Sequence, residues 1–203
     1  MRHCTSGIFF GLTILVLPPL CGGATNGFEN ALIELEEQAA SNVLAAVTTD
    51  DVEPLRAATW AFGQFLTKMI EAMGYTRDDV FIANICKCRP PNNRTPTADE
   101  MRVCLPFLRE QIRIVQPKTI VLLGGTAIRG LLATQAGVSR LQGNWTSYEG
   151  IPVMPTYHPA YILRFESAGD ATGLKRAKTE VWRALKLVLA QLGRTPPPVR
   201  AKK

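Results

Sequence analysis

Histidine is scarce in this sequence, with His3 and His158 the only two in 203 residues, and aromatic residues make up 7%. Cysteine is nearly as sparse: Cys4, Cys21, Cys86, Cys88 and Cys104 are odd in number and contain no C-x-x-C pair, which argues against a simple disulfide framework and leaves bound metal or plain buried thiols. No apolar run reaches the ~20 residues that span a bilayer. No internal repeat is present, and neither sign of charge dominates. The net charge of +6, from 23 Lys+Arg against 17 Asp+Glu, is a modest basic excess that favours polyanions through phosphate neutralisation without requiring nucleic acid. With 46% hydrophobic residues, the length suits one globular domain with a real core and leaves little room for a second.

The N-terminus sets two expectations against each other. "GIFFGLTILVLPPLCGGA", from Gly7, is an apolar run behind Arg2 with the length of a signal-peptide core, but it lacks a clean small-x-small cleavage site. The rest of the chain reads as cytoplasmic, so the start is expected to be atypical, with secretion as the alternative. The organisation expected is an N-terminal segment over 1–29, one domain over 30–193, and a basic, Pro-rich, disordered tail "RTPPPVRAKK" over 194–203.

Within the domain, "NALIELEEQAASNVLAA" has roughly helical spacing, and "GQFLTKMIEAMG" reads as an amphipathic helix closed by Gly74. "DVFIANIC" is too continuously apolar for a surface hairpin and suggests a buried parallel strand. "TADE", from Thr97 to Glu100, has the capping-box pattern and predicts a helix through Cys104 to about Val115. "KTIVLLGG" predicts a second buried strand whose Gly-Gly turn opens the helix "TAIRGLLA". "GIPVMPTYHP" predicts a third strand, and "GLKRAKTEVWRALKLVLAQL" a long closing helix with basic residues on one face. Alternating strands and helices indicate a layered α/β domain with a parallel sheet.

In open α/β sheets, ligands bind beyond the carboxyl ends of the strands. Asn84 with Cys88, Gly124 with Gly125, and His158 all fall at such ends and could converge on one pocket. His158, between Tyr157 and Pro159, could stabilise an anion or move a proton, or make one structural hydrogen bond. Asn84 could read a base edge or cap its strand. Cys88 and Cys104 are either half of an iron-sulfur or zinc site or small buried hydrophobes.

Three stretches, "FIANICKCRPPNNRTPTADEMRVCLPFLREQI", "PKTIVLLGGTAI" and "MPTYHPAYILR", resemble the family 4 uracil-DNA glycosylases, the iron-sulfur branch of the uracil-DNA glycosylase superfamily. The resemblance runs from about Gly63 to Leu192 and rests on N-x-x-K-C-R-P-P, the second cysteine downstream, and H-P-A-Y-x-L-R. It implies a three-layer α/β/α sandwich with a short central parallel sheet, and hydrolysis of the N-glycosidic bond of uracil flipped out of DNA in base excision repair. It assigns the uracil edge to Asn84 and stabilisation of the departing anion to His158. Arg164 and Arg89, with Arg94, are placed near DNA phosphates, solvated charges being the alternative for each. Cys88 and Cys104 take the positions of two of four ligands to a four-iron four-sulfur cluster. A monomer acting on uracil-containing DNA, away from membranes, completes the picture.

Upstream of Gly63 the agreement stops. The family's first cysteine pair has no counterpart, nor has its Gly-Glu-x-Pro-Gly loop with the carboxylate that activates water. An ungapped extension puts Asp50 and Asp51 at the acidic cluster, Asp51 being the candidate carboxylate against the reading of a solvated turn acid. The same register puts Ala58 at the position of the stacking phenylalanine, with Trp60 or Phe62 as substitutes. Such a break is the pattern that a frameshift or wrong start produces. The alternative expectation is therefore a catalytically impaired relative acting at most as a nucleic-acid-binding module.

Overall fold

The computed structural model describes residues 13–17, 53–87, 90 and 94–198, with only the backbone described over 13–17 and 53–62. Five strands and six helices are described: β1 (Thr13–Leu17), α1 (Glu53–Ala72), β2 (Phe81–Asn84), α2 (Ala98–Val115), β3 (Thr119–Leu123), α3 (Gly125–Leu132), α4 (Val138–Leu141), β4 (Thr146–Tyr148), β5 (Ile151–Thr156), α5 (Pro159–Ser167) and α6 (Ala171–Gln191). None of the helices among the described residues is long and apolar enough to cross a membrane. The spacing seen in residues 30–46 lies outside the described residues.

The strands form one sheet in the order β2-β1-β3-β5-β4. The three strands expected from sequence, β2, β3 and β5, run in one direction, and β3 pairs with β5 in parallel. The sheet as a whole is mixed, because β1 lies antiparallel between β2 and β3, and β4 is antiparallel to β5. β4 was not foreseen. It is joined to β5 by Glu149 and Gly150, both at positive φ, as in the two-residue turns that match strand twist. β1 comes from the apolar run that sequence alone reads as signal-like, and it is hydrogen-bonded along both edges.

Side-chain alternation along the buried strands divides the core in two. Ile120 and Leu122 of β3, with Val153 of β5, face one side, where they meet Leu108 and Ile112 of α2 and Ala127 and Ile128 of α3. Val121, Leu123 and Met154 face the other, against Leu66 and Ile70 of α1, Ile162 of α5, and Val181, Leu185 and Val188 of α6. Helices thus cover both faces, giving the α/β/α layering. α2 begins as "TADE" predicts: Thr97 accepts the Glu100 N–H at 3.2 Å and Glu100 accepts the Thr97 N–H at 2.8 Å. It ends at Val115, where Gln116 turns left-handed ahead of Pro117. The tail expected to be disordered packs over its first residues, with the Arg194 guanidinium 4.2 Å above the Tyr75 ring and Pro197 against Gly74.

Candidate active site

Asn84 and Thr156 end strands that run the same way, and the register sets them level. Asn84 pairs with Thr13 of β1, Leu122 with Ile14, and Leu123 with Thr156. Three strand spacings separate Asn84 from Thr156, about 14 Å between backbones. His158 follows two residues on, so the polar groups expected at the strand ends do share one rim of the sheet.

His158 is 7% exposed and forms the N-cap of α5, with Pro159 in the first helical position. Its Nδ1 accepts the Ala160 N–H at 3.1 Å, which puts the ring proton of the neutral form on Nε2. Burial, helped by the nearby positive charge of Arg164, lowers its pKa to about 4. The imidazole is therefore neutral at physiological pH.

The turn after β3 fixes the histidine from behind. The Gly124 N–H donates to the Thr156 carbonyl at 2.8 Å, and a Cβ at residue 124 would lie 2.8 Å from His158 Cβ. Gly124 has φ 90° and ψ 170°, a region open essentially to glycine alone. A side chain here would collide with the histidine.

At the other end of the rim, Asn84 Oδ1 is buried and has no hydrogen-bond partner among the described residues; the same holds for Thr156 Oγ1. A buried amide oxygen in that state is costly unless water or a ligand satisfies it. The backbone around it is well anchored. Lys87 Nζ donates to the Asn84 carbonyl at 3.2 Å and to Gln111 Oε1, and the Lys87 N–H points to Cys104 Sγ at 3.5 Å. Gln111 is 2% exposed, a buried amide that sequence reasoning passed over. Nothing in an isolated glutamine within a helical pattern signals such burial.

A family model described as "Uracil DNA glycosylase superfamily" matches residues 49–186. The chain belongs to the uracil DNA glycosylase superfamily. Among similar proteins in this superfamily, a Type-4 uracil-DNA glycosylase of Thermotoga maritima is 43% identical over 109 residues, covering 52% of this chain and 56% of its own length. One of Sulfurisphaera tokodaii is 44% identical over 112 residues, 51% of each chain. A Type-5 uracil-DNA glycosylase of Pyrobaculum aerophilum is 38% identical over 95 residues, 42% of this chain and 41% of its own. The chain spans about half the length of the curated relatives it matches. The superfamily match begins ahead of Gly63 and takes in Asp50 and Asp51.

Other candidates from the superfamily resemblance fall as follows. Arg164, on α5, is exposed, as a phosphate contact needs. Arg94 instead grips Glu100 through two hydrogen bonds of 2.8 and 2.7 Å, which ties it to the capping box of α2. Asp51, Arg89 and Cys88 lie outside the described residues, and of residues 58, 60 and 62 only the backbone, in α1, is described. Cys86 and Cys104 are buried. Among the described residues no group of three or more His, Cys, Asp or Glu side chains could hold a metal, so these residues do not make up a ligand set for a cluster.

Proposed function

We propose that this chain hydrolyses the N-glycosidic bond between uracil and deoxyribose in DNA. The observation that carries the reading is the pairing, on one rim of the sheet, of a buried neutral imidazole with a buried amide oxygen that lacks a partner among the described residues. Family membership and the names of the relatives support it.

The chemistry follows from those two groups. An extruded uracil offers N3–H and O4 on its Watson-Crick edge. Asn84 Oδ1 accepts the first and its amide donates to the second. Cytosine reverses both requirements, with an acceptor at N3 and an amine at C4, so it leaves both ends of the Asn84 amide, the buried Oδ1 included, facing the wrong partners. As the C1′–N1 bond breaks, the electron pair leaves with uracil and positive charge develops on the sugar. The Nε2–H of His158 donates to the oxygen that gathers the negative charge, a fixed dipole in a dry setting. Because this imidazole stays neutral, it acts as a hydrogen-bond donor throughout.

In the same proposal Arg164 and Arg89 contact phosphates, and Asp51 orients water for attack at C1′. A four-iron four-sulfur cluster on Cys88, Cys104 and two further ligands enters from the resemblance alone, with no step passing through it. Visible absorption and the iron and sulfide content of purified protein test it. In this proposal the protein acts in the cytoplasm, as a monomer, on uracil-containing DNA. The deciding experiment treats single-stranded DNA carrying one uracil with the purified chain, then alkali, beside His158→Ala and Asn84→Ala. Scission by the parent chain, lost or strongly reduced in both variants, is expected. A folded parent chain that leaves the strand intact overturns the reading and leaves a catalytically impaired relative, at most a nucleic-acid-binding module.

A further inference from the structure

Asn84 is the last residue of an edge strand, and beyond it the backbone leaves the ladder. Its side-chain direction therefore depends on what holds the next turn. Three contacts do so. The Lys87 ammonium reaches back three residues to the Asn84 carbonyl, and it also donates to Gln111 on α2. The Lys87 backbone N–H meets Cys104 on the same helix. Cys104 and Gln111 are two turns apart on one face of α2, both buried with Leu108 between them, so Lys87 is held to a rigid, packed surface.

From this we infer that Lys87 and Gln111 form a positioning pair for uracil recognition, aiming the Asn84 amide by anchoring the carbonyl of the same residue. The inference rests on the proposed reading of Asn84. Lys87 does not touch the base in this account; it acts through Asn84. A carbonyl released from the ammonium lets the Asn84 peptide rotate, and the amide moves with it. A displacement near 1 Å at a positioning group costs up to about 100-fold in rate.

The test is a double-mutant cycle on uracil release from single-stranded DNA, under conditions where kcat/KM is measured. Lys87→Met keeps the aliphatic stem and removes the charge. Gln111→Leu removes the acceptor at similar volume, and Gln111→Glu restores one. Lys87→Met and Gln111→Leu are each expected to lower kcat/KM by about 10- to 100-fold, Gln111→Glu to recover most of it, and neither loss to persist in an Asn84→Ala background. Thermal melts identify any variant that is unfolded, and the conclusion is then taken from the other member of the pair. Unchanged rates in folded Lys87→Met and Gln111→Leu, or equal losses with and without Asn84, overturn the inference while leaving the glycosylase reading intact. An inactive but folded parent chain overturns both.

Discussion

Replacing Gly124 by alanine tests the rear wall of the site. Two costs are separable. At φ 90° and ψ 170° an L-residue is strained by roughly 1–3 kcal/mol. In addition, the new Cβ would sit 2.8 Å from His158 Cβ, whereas carbon atoms rest at about 3.5–4.0 Å. The atom struck is the root of the side chain, so the clash is relieved only by moving the histidine, or the start of α5, by roughly 1 Å. Strain of that size lowers the melting temperature by between about 2 and 12 °C for a domain of this length, and the displacement lowers uracil release by about 100-fold. Gly193→Ala provides the comparison, because Gly193 has φ 68° but nothing within 4 Å of its added Cβ. It should lose stability and keep its rate. Both are read by thermal denaturation and by alkaline scission of uracil-containing DNA. A Gly124→Ala enzyme that melts lower yet releases uracil within a few-fold of the parent would refute the account of His158 as a group held in place by the β3 turn.

Three further outcomes follow from the same geometry. His158 takes up a proton near its ordinary value of 6.5 when unfolded but only near 4 when folded, so its contribution to stability is complete above pH 6.5 and declines toward pH 4, by something on the order of 3 kcal/mol; urea melts of the parent and His158→Ala between pH 7 and 4.5 should show the parent losing more, and equal losses would contradict it. Thr97→Ala removes the cap of α2 and should cost about 1 kcal/mol, seen as a melting temperature lower by a few degrees with uracil release retained. Gly130→Ala places a Cβ 2.7 Å from Ile85 Cγ2 in the closed core beside Asn84, and should destabilise by roughly 1–3 kcal/mol in denaturant titrations despite alanine's better helix propensity.

Much of the frame was legible because the signals were local. "TADE" announced the start of α2 through its own side chains, and continuous apolar runs flagged β3 and β5, which are covered on both faces, and β2, which instead lies at the sheet edge beside the antiparallel β1 with three of its four residues only half-buried. The polar residues at the ends of those strands could then be read as one rim from fold geometry. β4 escaped notice because it is three residues long and its burial alternates weakly. β1 carried no strand signal of its own, because an apolar run of that length suits a strand as well as a leader and its pairing partners lie far along the chain. Gln111 carried no signal, since its hydrogen bond is to a lysine met only in three dimensions. Family resemblance supplied Asp51 and Arg89, and these, like Cys88, lie outside the described residues.

The position of β1 has a consequence for how the sheet is made. Among the described residues β1 is the first strand in the chain yet lies inside the sheet, and its neighbour β3 leaves the ribosome roughly a hundred residues later, on the order of 5–20 s at ordinary rates of synthesis. Until then β1 has only β2 to pair with, and without β1 both β2 and β3 would present open edges to other chains. The two halves of the rim, Asn84 on one side and His158 on the other, are joined through that single strand, so assembly of the site is tied to the most non-local strand pairing among the described residues, a kind of contact that slows folding.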